Sequence, residues 1–248
     1  METGNIATLL AERASAHPER EAVRVLGRGH QARLNFQALD EEANRLAGGL
    51  VHAGVRPGHR MLLMVRPGIE LLALTFALFR LGALPVLIDP GLGRRNLLSC
   101  IRHTQPQGLI GIPLAHAARS FFRSAFGPIK VQVTVGRRWF WGGLTLDQVR
   151  RRGTPHFSSA APSPDDPAAI LFTSGSTGPP KGVVYTHAMF FHQVQALQAL
   201  YDFRPGEVDL PTFPLFALFG VALGMTCLIP EMDPTRPARV HPPHIIEP

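Results

Sequence analysis

The 248-residue sequence contains only two cysteines, Cys100 and Cys227, which stand far apart in apolar surroundings. Two distant cysteines provide neither a disulfide framework nor the ligand spacing of a zinc site. Residues 1–5 also lack the basic segment and apolar run that open a secretory signal peptide. These absences favour a protein of the reducing cytoplasm.

Charged residues are sparse as well, at 17% of the chain, and Lys and Arg outnumber Asp and Glu to give a formal net charge of +7. The basic clusters are short, namely Arg94-Arg95, Arg137-Arg138 and residues 150–152. Only Trp139-Phe140-Trp141 places aromatic side chains beside one of them, which is not the interleaved pattern of a nucleic-acid surface. The positive charge would equally attract ATP or an acidic substrate, so we expect no nucleic-acid partner.

Two apolar segments approach the length of a membrane span. Residues 69–87 are interrupted by Glu70, Arg80 and Pro85, whereas residues 210–230 carry no charge and have about the right length. The second segment is nevertheless broken by prolines and glycines, at Pro211, Pro214, Gly220 and Gly224. We therefore favour a buried strand–turn–helix segment with no stable membrane span, and a membrane anchor is the alternative.

Strands alternate with helices along most of the chain. An apolar strand is predicted at residues 61–65, a helix at 69–81 that ends at Gly82, and a further strand at 85–88. Other strands are predicted at 34–36, 108–112, 130–135 and 168–172, and other helices at 37–53, 94–103, 116–126 and 188–200. This alternation indicates an α/β fold with mostly parallel strands.

Residues 153–167 are rich in Pro, Ser and Ala and read as a linker or a long surface loop. The sequence therefore predicts that residues 1–160 form a first α/β subdomain. Residues 161–248 are predicted to begin a second one.

Residues 173–182, Thr-Ser-Gly-Ser-Thr-Gly-Pro-Pro-Lys-Gly, follow a predicted buried strand and carry the chemistry of a phosphate site. Glycines let the backbone approach a ligand closely, hydroxyls donate to phosphate oxygens, and Lys181 supplies positive charge. A flexible surface loop is the structural alternative. The spacing excludes a Walker P-loop, because Pro180 precedes Lys181 and Gly182 follows it, and it excludes the dinucleotide fingerprint.

The string TSGSTGPPKG closely resembles the signature of the adenylate-forming superfamily, which includes acyl-CoA synthetases, luciferases and peptide-synthetase adenylation domains. LDEEANRLAGGL (residues 39–50) and LGALPVLIDP (81–90) resemble further segments of that family. PLFALFG (214–220), in which Ala217 replaces a frequent histidine, and PEMDP (230–234) are most similar to OleC-type β-lactone synthetases of bacterial olefin biosynthesis.

The resemblance implies the N-terminal portion of the adenylate-forming fold, with stacked, mostly parallel sheets flanked by helices. It implies ATP and Mg²⁺, and a long-chain β-hydroxy acid that reacts through acyl-AMP to a β-lactone. The implied phosphate contacts are Thr173, Ser174, Gly175, Ser176, Thr177, Gly178 and Lys181. The implied acyl-pocket residues are His187, Leu215, Phe216, Phe219 and Gly220, for which plain core packing is the alternative. Other olefin-biosynthesis enzymes are the implied partners.

Family members usually run to about twice this length and carry further motifs that this sequence lacks. These include a Tyr-Gly-x-Thr-Glu-like segment and a C-terminal domain with a catalytic lysine. We therefore expect an N-terminal part of a longer enzyme that is inactive alone, and we assign it no catalytic and no metal-binding residue. The alternatives are a fragment of an acyl-CoA synthetase and a non-catalytic remnant that binds a nucleotide or a partner.

Overall fold

The computed structural model of the protein describes residues 4–26, 32–158, 162–173, 180–213, 215–233, 240 and 245. The helices are α1 (Ile6–Ala16), α2 (Phe36–His52), α3 (Ile69–Leu81), α4 (Arg94–Thr104), α5 (Pro113–Phe121), α6 (Leu146–Arg152), α7 (His187–Tyr201) and α8 (Phe216–Leu223), with a short 3-10 helix at Pro90–Leu92. The strands are β1 (Glu21–Val25), β2 (Ala32–Asn35), β3 (Arg60–Met64), β4 (Leu84–Leu87), β5 (Gly108–Gly111), β6 (Val131–Thr134), β7 (Leu144–Thr145), β8 (Pro167–Thr173), β9 (Lys181–Thr186), β10 (Val208–Asp209) and β11 (Thr226–Ile229).

Residues at the ends of the helices determine where several of them begin or stop. The Asn35 side chain accepts a hydrogen bond from the Ala38 N–H at 2.8 Å, so α2 starts at Phe36, which the sequence assigns to a strand. Helix α5 covers Pro113–Phe121 and not the predicted 116–126, because a proline is well suited to the first turn of a helix. The predicted end of α3 is confirmed, since Gly82 adopts a left-handed conformation with φ +63°.

The strands form two sheets. The larger has the order β7-β6-β5-β3-β4-β8-β9 and is parallel except for the antiparallel β8–β9 pair at its edge. The smaller has the order β10-β11-β1-β2, in which only β1 and β2 are antiparallel. The predicted α/β class with mostly parallel sheets is therefore confirmed.

Helix α3 lies in the core that joins these sheets, and every residue from Leu71 to Leu81 is buried. One apolar cluster contains residues of α3 together with Val23 of β1, Met61 of β3 and Ile229 of β11. A second, smaller cluster covers the opposite face of the larger sheet and includes Ile101 of α4. The two sheets are thus held together by apolar packing around α2 and α3.

The strands on either side of the predicted boundary at residues 160 and 161 pair with one another. β8 lies beside β4, with Ile170 opposite Val86, and β11 lies beside β1, with Cys227 opposite Val23. A linker followed by a separate sheet would not produce these pairs. The division of the chain into two subdomains stays a prediction, and the described strands form sheets that draw on both parts.

The charge-free residues 210–230 are divided between two elements. They contain α8, which is eight residues long, and β11, which is part of the smaller sheet. Across the described ranges, no helix has both the length and the apolar character required to cross a membrane.

Helices α2 and α6 approach so closely that their contact requires glycine. A Cβ atom added at Gly49 would lie 2.0 Å from the Val149 carbonyl oxygen, and one added at Gly153 would lie 1.8 Å from the Arg45 carbonyl oxygen. These neighbours are backbone atoms, so a larger side chain at either position would force the helices apart.

We expect Gly49→Ala to lower the free energy of unfolding by about 3 kcal/mol, because the added methyl group overpacks a backbone contact. Gly48→Ala is the matched control, since its added Cβ would be 3.3 Å from the nearest atom, the Gly153 Cα. Replacement of Gly48 by Ala also raises helix propensity by about 1 kcal/mol, which should offset most of the destabilisation caused by this contact. Urea denaturation followed by circular dichroism measures both, and equal stability of the two variants would contradict the close-approach explanation.

Candidate functional site

The glycine-rich segment connects the two strands of the β8–β9 hairpin. The last Cα pairs before the turn are Phe172 with Gly182 and Thr173 with Lys181. Residues 174–179 and the side chain of Thr173 lie outside what the structure describes. The phosphate contacts predicted for Thr173, Ser174, Gly175, Ser176, Thr177 and Gly178 therefore stay predictions.

The position of the hairpin follows from the direction of β8. This strand is parallel to β4, so its carboxyl end lies at the same edge of the sheet as the carboxyl ends of β3, β5 and β6. Open parallel sheets bind ligands outside that edge. Ala168 and Ala169 are buried and anchor β8 in the sheet, which fixes the start of the glycine-rich segment there.

Gly182 is required by the ring that lies over it. A Cβ atom at this position would be 3.0 Å from Cζ and 3.3 Å from Cε1 of Phe172, the residue paired with it across the hairpin. A larger residue would have to displace the Phe172 ring within the Phe172–Gly182 pair. The last glycine of the sequence signature thus leaves room for this ring.

Lys181 begins β9 with an exposed side chain. Among the described residues it takes part in none of the ion pairs, so no carboxylate there neutralises its ammonium group. An exposed lysine that has no ion pair among the described residues, close after a Gly-, Ser- and Thr-rich segment of the sequence, suits the phosphates of a nucleotide. The residues present therefore fit the predicted polyphosphate ligand.

Aromatic rings cluster where β9, α3, α7 and α8 meet, and we call this set the Phe190 cluster. Its members are Phe79, Tyr185, His187, Phe190 and Phe219. Tyr185 stacks on Phe190 at 5.1 Å between ring centroids, and Phe79 and Phe219 lie 5.8 and 6.0 Å from Phe190. The cluster brings together two of the predicted acyl-pocket residues, His187 and Phe219. Lys181 lies four residues before Tyr185 along β9, about 13 Å away at strand spacing.

His187 is wholly buried at the first position of α7, and its ring meets Phe79 edge-on at 5.8 Å. Neither ring nitrogen has a hydrogen-bond partner among the described residues. Burial lowers the pKa of His187 to about 4, against a smaller opposing effect of the Asp166 carboxylate. The imidazole is therefore neutral at pH 7 and packs as an aromatic ring.

Gly220 lies where α8 packs closely against residues of β10 and β11. A Cβ atom there would lie 2.6 Å from the Cys227 Sγ and 2.7 Å from the Asp209 Oδ2. Cys227 is buried and its Sγ lies 3.4 Å from the Ala217 carbonyl oxygen. Burial raises the pKa of the Asp209 carboxyl and of the Cys227 thiol, the latter with a further contribution from Asp209. Gly220 is thus a packing residue over a protonated thiol.

Leu215 and Phe216 stand at the start of α8. Leu215 is half-buried against the main apolar cluster, whereas Phe216 is 58% exposed and meets the exposed Phe213 edge-on at 5.2 Å. Of the five predicted acyl-pocket residues, Phe216 is the one that presents an apolar ring to solvent. Their role in binding an acyl group stays a prediction.

Sequence reasoning missed Phe79 and Phe190 as neighbours of the predicted residues. Both fall within predicted helices, and no local pattern indicates that α3 and α7 meet at these two rings. Within the described ranges, no group of three or more His, Cys, Asp and Glu side chains is placed to hold a metal ion.

We expect the burial of His187 to make stability fall as the pH decreases from about 6.5 to about 4. Its pKa is lower in the folded than in the unfolded chain, so the unfolded chain binds more protons in this window and acid favours it. The difference corresponds to about 3 kcal/mol once the pH is below both values. Chemical denaturation across that pH range should show the loss reduced in His187→Phe and retained in His192→Phe, an exposed control. An unchanged pH dependence in His187→Phe would contradict this.

Known proteins are similar in sequence to this chain over most of its length. An olefin beta-lactone synthetase of Stenotrophomonas maltophilia is 49% identical over 247 residues, which cover 96% of this chain and 45% of that protein. An olefin beta-lactone synthetase of Xanthomonas campestris pv. campestris is 49% identical over 246 residues, 96% of this chain and 44% of that protein. The chain thus spans less than half the length of these relatives.

The fold is shared as well. The inhibitor-bound N-terminal domain of FACL13 from Mycobacterium tuberculosis superposes with a TM-score of 0.80 over 94% of this chain and 58% of that one, at 23% sequence identity. At that identity the likeness concerns the fold alone. The family described as "AMP-binding enzyme" matches residues 10–240, which include the β8–β9 hairpin. The chain belongs to the AMP-binding enzyme family.

Proposed function

We propose that this chain supplies the ATP-phosphate site of an enzyme that activates a long-chain β-hydroxy acid as acyl-AMP and closes it to a β-lactone. The observation that carries the proposal is the β8–β9 hairpin, whose pairs Phe172–Gly182 and Thr173–Lys181 flank the TSGSTGPPKG signature at the carboxyl end of β8. The names of the two relatives at 49% identity support the acid and the lactone product.

The proposed reaction has two displacements. In the first, a carboxylate oxygen of the acid attacks the α-phosphorus of ATP and pyrophosphate leaves. In the second, the β-hydroxyl oxygen attacks the acyl carbon, AMP leaves, and the hydroxyl proton passes to a base. Both steps depend on holding the reacting groups in line and on stabilising charge at the phosphates.

The residues of this chain act on the first displacement. The ammonium group of Lys181 offsets negative charge on the phosphates, and the glycines and hydroxyls of residues 173–178 surround the phosphate oxygens. Mg²⁺ bound to ATP supplies further positive charge. The described side chains offer no cluster of ligands for it, so we assign it no protein ligand and no step.

The acyl chain is proposed to lie along the exposed side of α8. Phe213 and Phe216 present apolar rings to solvent there, and Phe219 continues the surface into the Phe190 cluster. Phe213 and Phe216 lose contact with water when an alkyl chain covers them, which favours longer acids. His187 and Gly220 lie deeper, and we propose that they shape the wall without touching the chain.

A nucleotide-binding protein without catalysis is the second candidate. The β8–β9 hairpin and the exposed Lys181 favour it equally, because binding a polyphosphate requires no catalytic group. ATP binding combined with the absence of pyrophosphate release, in the presence of long-chain β-hydroxy acids, would support this candidate. Robust pyrophosphate release would refute it.

We expect Lys181→Ala to weaken ATP binding by at least about tenfold, the scale of one lost hydrogen bond to a charged group. The chain contains only two lysines, so Lys130→Ala is a control with the same change of charge. Lys130 is exposed and precedes β6 at the opposite edge of the sheet. Titration calorimetry with MgATP measures both, and an equal loss in the two variants would rule out a specific role for Lys181.

We expect Phe216→Ala to reduce the dependence of binding on acyl chain length. Stable acyl-adenylate analogues of increasing length should bind the unaltered chain more tightly with each buried methylene, by up to about 0.8 kcal/mol. Phe216→Ala should show a smaller increment per methylene. Phe140 is 75% exposed and lies outside α8, so Phe140→Ala is the control and should keep the increment of the unaltered chain. An increment identical in all three proteins would place the acyl chain somewhere other than α8.

A further inference from the structure

A long stretch of the chain has positive charge and no negative charge. Residues 90–146 contain no Asp or Glu and eight Lys or Arg, so their formal charge of +8 exceeds the +7 of the whole chain. The stretch includes α4 and α5 and the segment that leads into β6. Isoleucine and phenylalanine side chains from it form the smaller apolar cluster over one face of the larger sheet. Its basic side chains therefore lack neighbours of opposite charge along the sequence.

A cavity of about 330 Å³ opens within this stretch, between the end of α5 and the start of β6. The residues that line it are Arg119, Ser120, Arg123, Phe126, Gly127 and Ile129. This volume is at the lower end of the range for small-molecule sites. The lining thus combines two arginines and a serine with two buried apolar residues, Phe126 and Ile129, and it includes no Asp or Glu.

Arg119 carries the strongest indication of a missing partner. Its Nε atom is buried and has no hydrogen-bond partner within the described ranges, and neither Arg119 nor Arg123 forms an ion pair there. Burial and the nearby positive charge of Arg123 both lower the pKa of Arg119. A buried donor without a partner costs free energy, and a like charge beside it adds to that cost.

The position of Arg119 in the last turn of α5 offers a simpler explanation, since a cation there stabilises the helix dipole. That effect explains one arginine and requires no cavity. It does not explain why a second arginine lines the same space or why the Nε donor is buried without an acceptor. The oxygens of a phosphate group would accept hydrogen bonds from both guanidinium groups, which bind phosphate in a forked geometry.

We propose that the cavity lined by Arg119, Ser120 and Arg123 binds a phosphate group, either as free phosphate or as the headgroup of an anionic lipid. The Ser120 hydroxyl donates to the His116 carbonyl oxygen at 3.1 Å, so its oxygen is available as an acceptor from the P–OH group of free phosphate, which a phosphodiester headgroup lacks. Ile129 lies two residues before β6, at the edge opposite the carboxyl end of β8. The site is therefore separate from the β8–β9 hairpin and independent of the function proposed for it.

The test measures phosphate binding by the 248-residue chain and its variants at constant ionic strength, with chloride as the exchanged anion. We expect saturable binding of inorganic phosphate, seen by calorimetry and as a rise in melting temperature, that Arg119→Gln and Arg123→Gln each weaken at least about tenfold. Arg102→Gln is the matched control, because Arg102 is exposed on α4 in the same acid-free stretch. Arg102→Gln should bind inorganic phosphate as tightly as the unaltered chain does.

A second arm separates the two sources of phosphate. Sedimentation with vesicles of phosphatidylglycerol or of phosphatidylcholine shows whether the chain binds an anionic headgroup. Binding to phosphatidylglycerol alone, with the same sensitivity to Arg123→Gln, supports the site with a lipid as its ligand. Because Arg123 is exposed, Arg123→Gln should fold normally. This variant therefore tests the phosphate site even if Arg119→Gln does not fold. Absence of saturable binding in both arms, or an equal loss in Arg102→Gln, would overturn the proposal.

Discussion

Burial of α3 on all sides is the constraint on which the rest of the structure depends. Apolar residues from both sheets surround this helix, and its one buried cation, Arg80, must be satisfied within the core. Arg80 donates through Nη1 to the Asp40 carbonyl oxygen at 3.1 Å and to the Asn44 Oδ1 at 2.6 Å, and it pairs with the Asp40 carboxylate. These contacts fix α3 against α2, because a buried charge without partners is costly.

The core around α3 determines where the two strands of the β8–β9 hairpin lie. Phe79 of α3 meets His187 and Phe190 of α7, and α7 directly follows the hairpin strand β9. On the other side, β8 pairs with β4, the strand that follows α3. The two strands that flank the glycine-rich segment are therefore linked to the same buried helix, β8 through β4 and β9 through α7.

The part of the candidate site that the sequence could propose is the part whose chemistry is local, and its phosphate contacts stay a prediction. A run of glycines, hydroxyls and one lysine after an apolar strand indicates phosphate binding without knowledge of the remaining chain, and the family match agrees with it. The Phe190 cluster was not predictable, because Phe79 lies more than a hundred residues before the other rings and Phe219 comes from a different helix than Phe190. Nor does the sequence reveal that Gly220 makes room for Asp209 and Cys227, since a glycine within an apolar run has many explanations.

By itself the sequence determined the α/β class, the end of α3 at Gly82 and the family to which the chain belongs. These follow from hydrophobic periodicity, a left-handed glycine and a contiguous signature, which are all encoded by neighbouring residues. Only the tertiary structure decided that residues on both sides of the predicted linker share their sheets, that β9 turns back antiparallel to β8, and that His187 is neutral. Strand pairing and burial depend on which distant segments meet, and that is settled by packing around α3.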